Sequence, residues 1–266
     1  MLKEKIGLIG VGNMGTAILE GLFKKKIAKP AQVWVYDKFP EKVSAFTKHW
    51  KVHPASSSLD VVKNSKILLL AVKPQDLEEA STAFKPFLRS NHVIISILAG
   101  TPIAKIKKIV GSGTKIVRAM PNLGAKVGEA MTALTGDHGQ AMKLAERIFS
   151  GCGKTLRLDE KHFDLVTAVS GSGPAYFFHL MELLEEVGIA NGLSKTAARL
   201  LAIQTAVGGS LLAQSAKESP AELRAMVTSK GGTTAAALNV MEKENFAETF
   251  RKAVHAARDR SREMSR

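Results

Sequence analysis

The six residues Gly10-Val11-Gly12-Asn13-Met14-Gly15 end an apolar run (5–10, KIGLIG) and open a helix-forming stretch at 13–25. This arrangement restricts the fold more than any other feature of the chain. The first glycine permits a tight strand-to-helix turn, and the second lets a pyrophosphate approach the backbone. The third allows close helix–strand packing, and the helix N-terminus offers amides and partial positive charge to an anion. A G-x-G-x-x-G spacing alone is a weak signal. Here it sits at the first strand, with an acidic residue, Asp37, at the end of the second. That context points to dinucleotide binding, against the plainer reading of a glycine-rich structural turn.

Further strand-length apolar runs lie at 33–36, 66–72, 92–98 and 115–120, with helix-like stretches near 57–64, 75–84, 102–109 and 138–150. Strands that alternate with helices predict βαβ units and a mostly parallel sheet. Shorter runs at 130–134 and 154–158 extend that sheet at its edge. After about residue 162 the strand pattern stops. Pro174 suits the first turn of a long helix ended by Asn191-Gly192, Ser194 suits the cap of the next, and Ser219-Pro220-Ala221-Glu222 reads as a capping box. The fold class is therefore α/β: a Rossmann-type, doubly wound, mostly parallel sheet over 1–161, then an all-helical domain over 162–266. Small residues in the second helix (196–214) let helices approach closely, and a helical half of this size predicts completion by a second chain, as a homodimer or larger homo-oligomer.

Charge is unevenly spread. The net charge is +14, and residues 1–160 hold 25 Lys and Arg against 13 Asp and Glu. The lysines are scattered without interleaved aromatics, so a solvated face that attracts an anionic cofactor is favoured over nucleic-acid binding. The Arg-rich end, RDRSREMSR, reads as a frayed, solvated helix terminus. Cys152 is the only cysteine, so no internal disulfide forms. The start lacks a signal-peptide pattern and no uninterrupted apolar run reaches membrane-span length, giving a cytoplasmic expectation with no membrane partner. The seven histidines show no metal-ligand spacing, and no metal is expected.

Several loops carry candidate chemistry. Asp37 is placed to accept hydrogen bonds from the adenosine ribose and to repel a 2′-phosphate, which Lys38 would offset. This favours NADH, with NADPH also usable; a surface charge pair is the competing reading. Ala71-Val72-Lys73-Pro74, Ala99-Gly100 and Met120-Pro121-Asn122 stand at the carboxyl ends of successive strands, where open α/β sheets bind ligands. Thr228-Ser229-Lys230-Gly231-Gly232-Thr233-Thr234 leads into a helix and offers amides and hydroxyls to a carboxylate, or else is a simple cap. Ser170-Gly171-Ser172-Gly173-Pro174 is better read as a tight junction between domains.

The segments IGLIGVGNMG, LLLAVKPQD, SILAG, RAMPN, VTAVSGSGPAYFF and ELRAMVTSKGGTTAAALNVME, in order from residue 6 to 242, resemble the pyrroline-5-carboxylate reductases. The last two are the most specific, since ordinary Rossmann dehydrogenases lack both. The resemblance implies reduction of the C=N bond of 1-pyrroline-5-carboxylate to L-proline, the last step of proline biosynthesis, by hydride from NADH or NADPH. It implies a helical dimerisation domain and a site between the domains. By matching position, Thr234 would hydrogen-bond the imine nitrogen, and Ser229, Gly231, Gly232 and Thr233 would hold the carboxylate. Ile9, Gly10, Val11, Gly12, Asn13, Met14 and Ala71 to Pro74 would line the cofactor. The chain departs from the family at Leu123-Gly124, where Thr-Pro is frequent, at Ser58, where an Asn often meets the adenosine, and at Lys230, where Pro is common; Lys230 stands beside the carboxylate site or points into water. Two rivals remain. A β-hydroxyacid dehydrogenase-like enzyme or other imine reductase is one, although Lys195 lacks the Asn four residues on that hydroxyacid enzymes use. A non-catalytic NAD(P)-binding regulator is the other.

Overall fold

In the computed structural model, which describes residues 1–265, the apolar runs form strands that are covered on both faces. β1 (Ile6–Ile9), β4 (Ile67–Leu70) and β5 (Val93–Ser96) are buried at every residue, as expected for a parallel sheet between helix layers. With β2 (Val33–Tyr36), β3 (His53–Pro54), β6 (Lys115–Met120), β7 (Ala130–Gly136) and β8 (Gly153–Arg157) they make one eight-stranded sheet, ordered β3-β2-β1-β4-β5-β6-β7-β8. Every pairing is parallel except β6 with β7. The order turns back at β1–β4, the switch point where such sheets bind nucleotides.

Six helices flank the strands: α1 (Asn13–Lys24), α2 (Pro40–Trp50), α3 (Ser58–Asn64), α4 (Leu77–Thr82), α5 (Ile103–Val110) and α6 (Gly139–Phe149). One core layer joins Ile18, Leu22, Phe46, Ile148 and Phe149 to the sheet, and the other is built on Val61, Leu77, Phe84 and Ile106. The runs at 130–134 and 154–158 do become edge strands β7 and β8. The stretch 75–84 is helical over a shorter length than its pattern predicts. Pro74–Asp76 forms a single 3-10 turn, α4 holds six residues, and the chain then turns to bury Phe84 completely.

The helical half contains α7 (Phe163–Val166), α8 (Gly173–Ala190), α9 (Lys195–Ser215), α10 (Pro220–Met226), α11 (Thr233–Lys243) and α12 (Phe246–Ser265). Ser194 caps α9 by accepting from the Ala197 amide, and Ser219 with Glu222 forms the capping box of α10. Gly188 lets α8 and α9 close together, because a Cβ there would stand 2.9 Å from the Ala198 Cβ.

The chain divides into two compact units: Met1–Gly171 together with the residues from Ala257 on, and Ser172–Ala256. The switch in periodicity near residue 161 therefore precedes the structural division by about ten residues, because α7 and a π-helical turn at Thr167–Gly171 still belong with the first unit. A frayed, solvated C-terminus is not what the structure has. α12 continues to Ser265, Ser261 is 3% exposed and donates to Asp164 at 2.7 Å, and Met264 packs against Gly100. Arg260 and Arg262 are exposed, whereas Ser261 between them is buried, and the Met264 backbone and Cβ lie against Gly100 within the same unit.

Only three residues of Ser172–Ala256 are buried: Gly173, Ala198 and Ala202. Phe177 (58% exposed), Phe178 (55%), Val187 (62%) and Leu200 (65%) face outward. By length and composition α9 is long and apolar enough to cross a membrane, with mean hydropathy 1.2.

Candidate functional site

The three glycines of the loop stand in different surroundings. Gly10 lies at φ +102°, and a Cβ there would stand 2.6 Å from the Ala71 carbonyl. A Cβ on Gly15 would stand 2.7 Å from the Gly10 carbonyl oxygen and 3.2 Å from the Ala71 Cβ. These two glycines serve the turn and the helix–strand contact. At Gly12 a Cβ would meet nothing within 4 Å. Its lack of a side chain therefore serves no contact within the protein and leaves backbone open to a ligand. Gly12 is also the residue before α1, and it supplies no side chain to cap that helix. The first-turn amides of a helix have no partners of their own, so Asn13, Met14 and Gly15 present theirs at the same opening. A pyrophosphate fits this cradle.

The ends of β1, β2 and β4 converge on the loop. Gly10 donates to the Tyr36 carbonyl at 2.8 Å, and Ala71 donates to the Ile9 carbonyl at 2.8 Å. Asp37 is more committed than its sequence position discloses. Its Oδ2 accepts from the Val11 amide at 2.7 Å and its Oδ1 from the Phe39 amide at 3.0 Å, so the carboxylate ties the glycine loop to the end of β2. Lys38 is exposed and pairs with Asp76 at 3.0 Å, just beyond Lys73-Pro74. Ser58 is 5% exposed, inside the first turn of α3.

Ala99-Gly100 and Pro121-Asn122 follow β5 and β6 along the same edge. Gly100 sits at φ +60° against Met264. Asn122 uses both ends of its side chain: Nδ2 donates to the Ser170 carbonyl at 3.0 Å, while Oδ1 accepts from the amides of Gly124 (3.2 Å) and Met131 (3.3 Å). A Cβ on Gly171 would stand 2.7 Å from the Met120 side chain. Ser170 and Gly171 are thus held against the end of β6 and the loop after it, inside the first unit. Sequence reading passed over Arg118, which is 4% exposed in β6. It donates to Glu160 at 3.0 Å and lies over the Phe163 ring at 4.8 Å. Glu160 also accepts from the first amide of α5, Ile103, at 2.8 Å. An arginine flanked by apolar residues in the middle of a strand was the signal available, since a buried guanidinium requires a partner.

In the second unit, α10 ends at Met226 and the loop Thr228–Gly232 leads into α11. Gly231 adopts φ +74°, which glycine tolerates without strain. The Gly232 amide donates to the Ser229 carbonyl at 3.0 Å, and a Cβ on Gly232 would run into the Ser229 hydroxyl. Thr234 is half-buried in the first turn of α11, whereas Ser229, Lys230 and Thr233 are exposed. Lys230 makes no ion pair among the described residues. Uncapped first-turn amides flanked by hydroxyls suit a carboxylate.

Residues 160–264 match the family described as pyrroline-5-carboxylate reductase dimerisation, and residues 5–100 match the one described as NADP oxidoreductase, coenzyme F420-dependent. A pyrroline-5-carboxylate reductase of Arabidopsis thaliana is 36% identical over 264 residues, covering 98% of this chain and 95% of its own. That of Methanosarcina acetivorans is 33% identical over 269 residues, covering 100% of both. Among solved structures, the Plasmodium falciparum pyrroline carboxylate reductase with NADP bound superposes with a TM-score of 0.91 at 32% identity, over 100% of each chain. The Coxiella burnetii pyrroline-5-carboxylate reductase also gives 0.91, at 34% identity over 100% of each chain. On this likeness along its whole length, the chain belongs to the pyrroline-5-carboxylate reductase family.

Proposed function

We propose that residues 229–234 hold the substrate of this reductase and that Thr234 is its catalytic residue. The chain reduces the C=N bond of 1-pyrroline-5-carboxylate to L-proline with NADH or NADPH, the last step of proline biosynthesis. The observation that carries the residue assignment is the loop before α11, where Gly231 at φ +74° and the side-chain-free Gly232 bring Ser229 up to the uncapped amides of a helix that begins with two threonines.

The amides and hydroxyls of Ser229, Gly231, Gly232 and Thr233 hold the carboxylate, and Lys230 adds a cation beside it. Thr234 hydrogen-bonds the ring nitrogen and so fixes which face of the ring is presented. A reduced nicotinamide, when bound, would supply hydride to the imine carbon: its own C–H bond would break as the new one forms, the π-bond pair would pass to nitrogen, and a proton from solvent would complete the amine. A cyclic imine is basic enough to be partly protonated near neutral pH, so positioning matters more than a strong acid. The coenzyme would be held by Ile9 to Gly15, Asp37, Lys38, Ser58, Ala71 to Pro74, Ala99-Gly100 and Pro121-Asn122. Gly12 and the first amides of α1 take its pyrophosphate, and the basic balance of residues 1–160 attracts its charge.

The second unit dimerises. Its Phe177, Phe178, Val187 and Leu200 are more than half exposed, which a partner chain would cover, and α9 is apolar for the same reason rather than for a membrane. The enzyme is a cytoplasmic homodimer, or a larger assembly of dimers, and does not act on nucleic acid. Light scattering at micromolar concentration is expected to give at least twice the chain mass; a monomeric mass would contradict this. Steady-state rates with Lys230→Ala test the loop, with a raised KM for 1-pyrroline-5-carboxylate expected and an unchanged KM removing Lys230 from the site.

A further inference from the structure

The end of β2 carries one cation at the position where a coenzyme's adenosine ribose is read, and that cation is already engaged. Lys38 Nζ lies 3.0 Å from Asp76 Oδ1, joining the loop after β2 to the turn after β4. Its ammonium is held above its ordinary pKa, first by the hydrogen bond to Asp76 and then by the charges of Asp76, Glu79 and Asp37. Asp37 cannot leave to make room, because both its oxygens accept backbone amides of the glycine loop and the β2 end. Lys42 stands 4.0 Å from the same carboxylate. In folds of this type the acid at the end of β2 meets the ribose 2′-hydroxyl, and a nearby cation accommodates a 2′-phosphate. A 2′-phosphate arriving here meets a fixed Asp37 and a lysine held by a second acid.

We propose that Asp76 is a specificity-determining residue of this reductase: it sequesters Lys38 and so narrows the advantage of NADPH over NADH. The inference rests on the coenzyme assignment made above. NADPH gains the Lys38 contact only by breaking the Lys38–Asp76 pair, whereas NADH leaves the pair intact. Discrimination is thus set by a residue on a different strand end from the one that touches the ribose, and it acts through a competing contact. Among the described residues the Asp76 side chain pairs with Lys38 alone. It precedes α4 without a side-chain cap bond, so Asp76→Asn keeps the turn and removes the charge.

The test is a double-mutant cycle on the intact enzyme, comparing wild type, Asp76→Asn, Lys38→Met and the double variant. Two quantities are read: the ratio of kcat/KM for NADPH to that for NADH, and the Kd of NADP+ and of NAD+ by calorimetry. The pair is exposed, and such pairs are weak, so Asp76→Asn is expected to raise the NADPH:NADH ratio by about three- to fivefold. The NADH value stays in place, and the rise disappears in the Lys38→Met background. An unchanged ratio in Asp76→Asn overturns the inference, and so does an equal rise with or without Lys38, which would make Asp76 a plain repulsive charge. If wild type binds neither nucleotide, the coenzyme assignment itself fails, and the calorimetry separates that outcome from a failure of the Asp76 argument alone.

Discussion

Alanine at Gly12 and alanine at Gly10 are two substitutions of the same chemistry, two residues apart, that should have opposite consequences. At Gly10 the backbone is at φ +102° and a Cβ would press on the Ala71 carbonyl at 2.6 Å. Left-handed backbone costs an L-residue about 1–2 kcal/mol, and forcing a methyl into packed backbone adds about 1–3 kcal/mol. The sum, roughly 2–5 kcal/mol, lowers the thermal midpoint by about 5–15 °C for a chain of this size. At Gly12 the backbone is extended (φ −91°, ψ 179°) and a Cβ meets nothing. The fold then loses only the preference of an N-cap for glycine over alanine, about 0.5–1 kcal/mol. The methyl instead fills the space a pyrophosphate approaches, so nucleotide Kd should rise by about ten- to a hundredfold, the overpacking cost of about 1–3 kcal/mol taken on binding. Thermal melts with and without NADP+, together with calorimetric Kd values, read both effects. If Gly12→Ala binds NADP+ as wild type does, or melts as far below wild type as Gly10→Ala, the reading of the cradle is wrong.

Glu160→Gln leaves the buried Arg118 guanidinium without its carboxylate. Breaking a buried pair costs about 3–5 kcal/mol, but the Glu160 side chain is 34% exposed, so about 1–3 kcal/mol is expected as a lowered urea midpoint; a change under about 0.5 kcal/mol would contradict the network. Asn122→Asp keeps the acceptor for the Gly124 and Met131 amides but sets a carboxylate oxygen against the Ser170 carbonyl, so the enzyme should melt several degrees lower at neutral pH. The loss should shrink in acid, where a protonated carboxyl donates again; an equal loss at both pH values would show that the Ser170 bond is not the cause. His92 is buried, its Nδ1 accepts from the Arg89 amide at 2.8 Å, and burial holds its pKa below 6.5. The unfolded chain therefore binds the proton first, and the His92 contribution to stability is full above 6.5 and falls as pH drops toward the folded pKa. Denaturant unfolding against pH should flatten in that window for His92→Gln, and identical curves would refute it.

The parallel sheet was legible because its strands are continuous apolar runs and its turns carry glycine or proline. α2 and β3 were not. α2 buries only Val43 and Phe46, too few to show a period, and β3 has two residues, both exposed. The C-terminus misled for a related reason: Arg258, Arg260 and Arg262 dominate the local composition, while docking depends on Ser261 and Met264, which only the fold brings to Asp164 and Gly100. Of the candidate site, the glycine loop and the strand ends could be read in order along the chain. The bond from Val11 to Asp37 and the pairing of Lys38 with Asp76 could not, because each depends on which strands become neighbours across the switch point.

The residue assignment at the centre of this account is tested most directly by following reduced-nicotinamide oxidation with 1-pyrroline-5-carboxylate for wild type and Thr234→Ala, using NADH and NADPH in turn. Wild type should turn over with both coenzymes, and the variant should lose about tenfold or more in kcat, the value of one hydrogen bond placed on the reacting nitrogen. Turnover untouched by the substitution would remove Thr234 from the chemistry, and no turnover by wild type with either coenzyme would contradict the reaction itself.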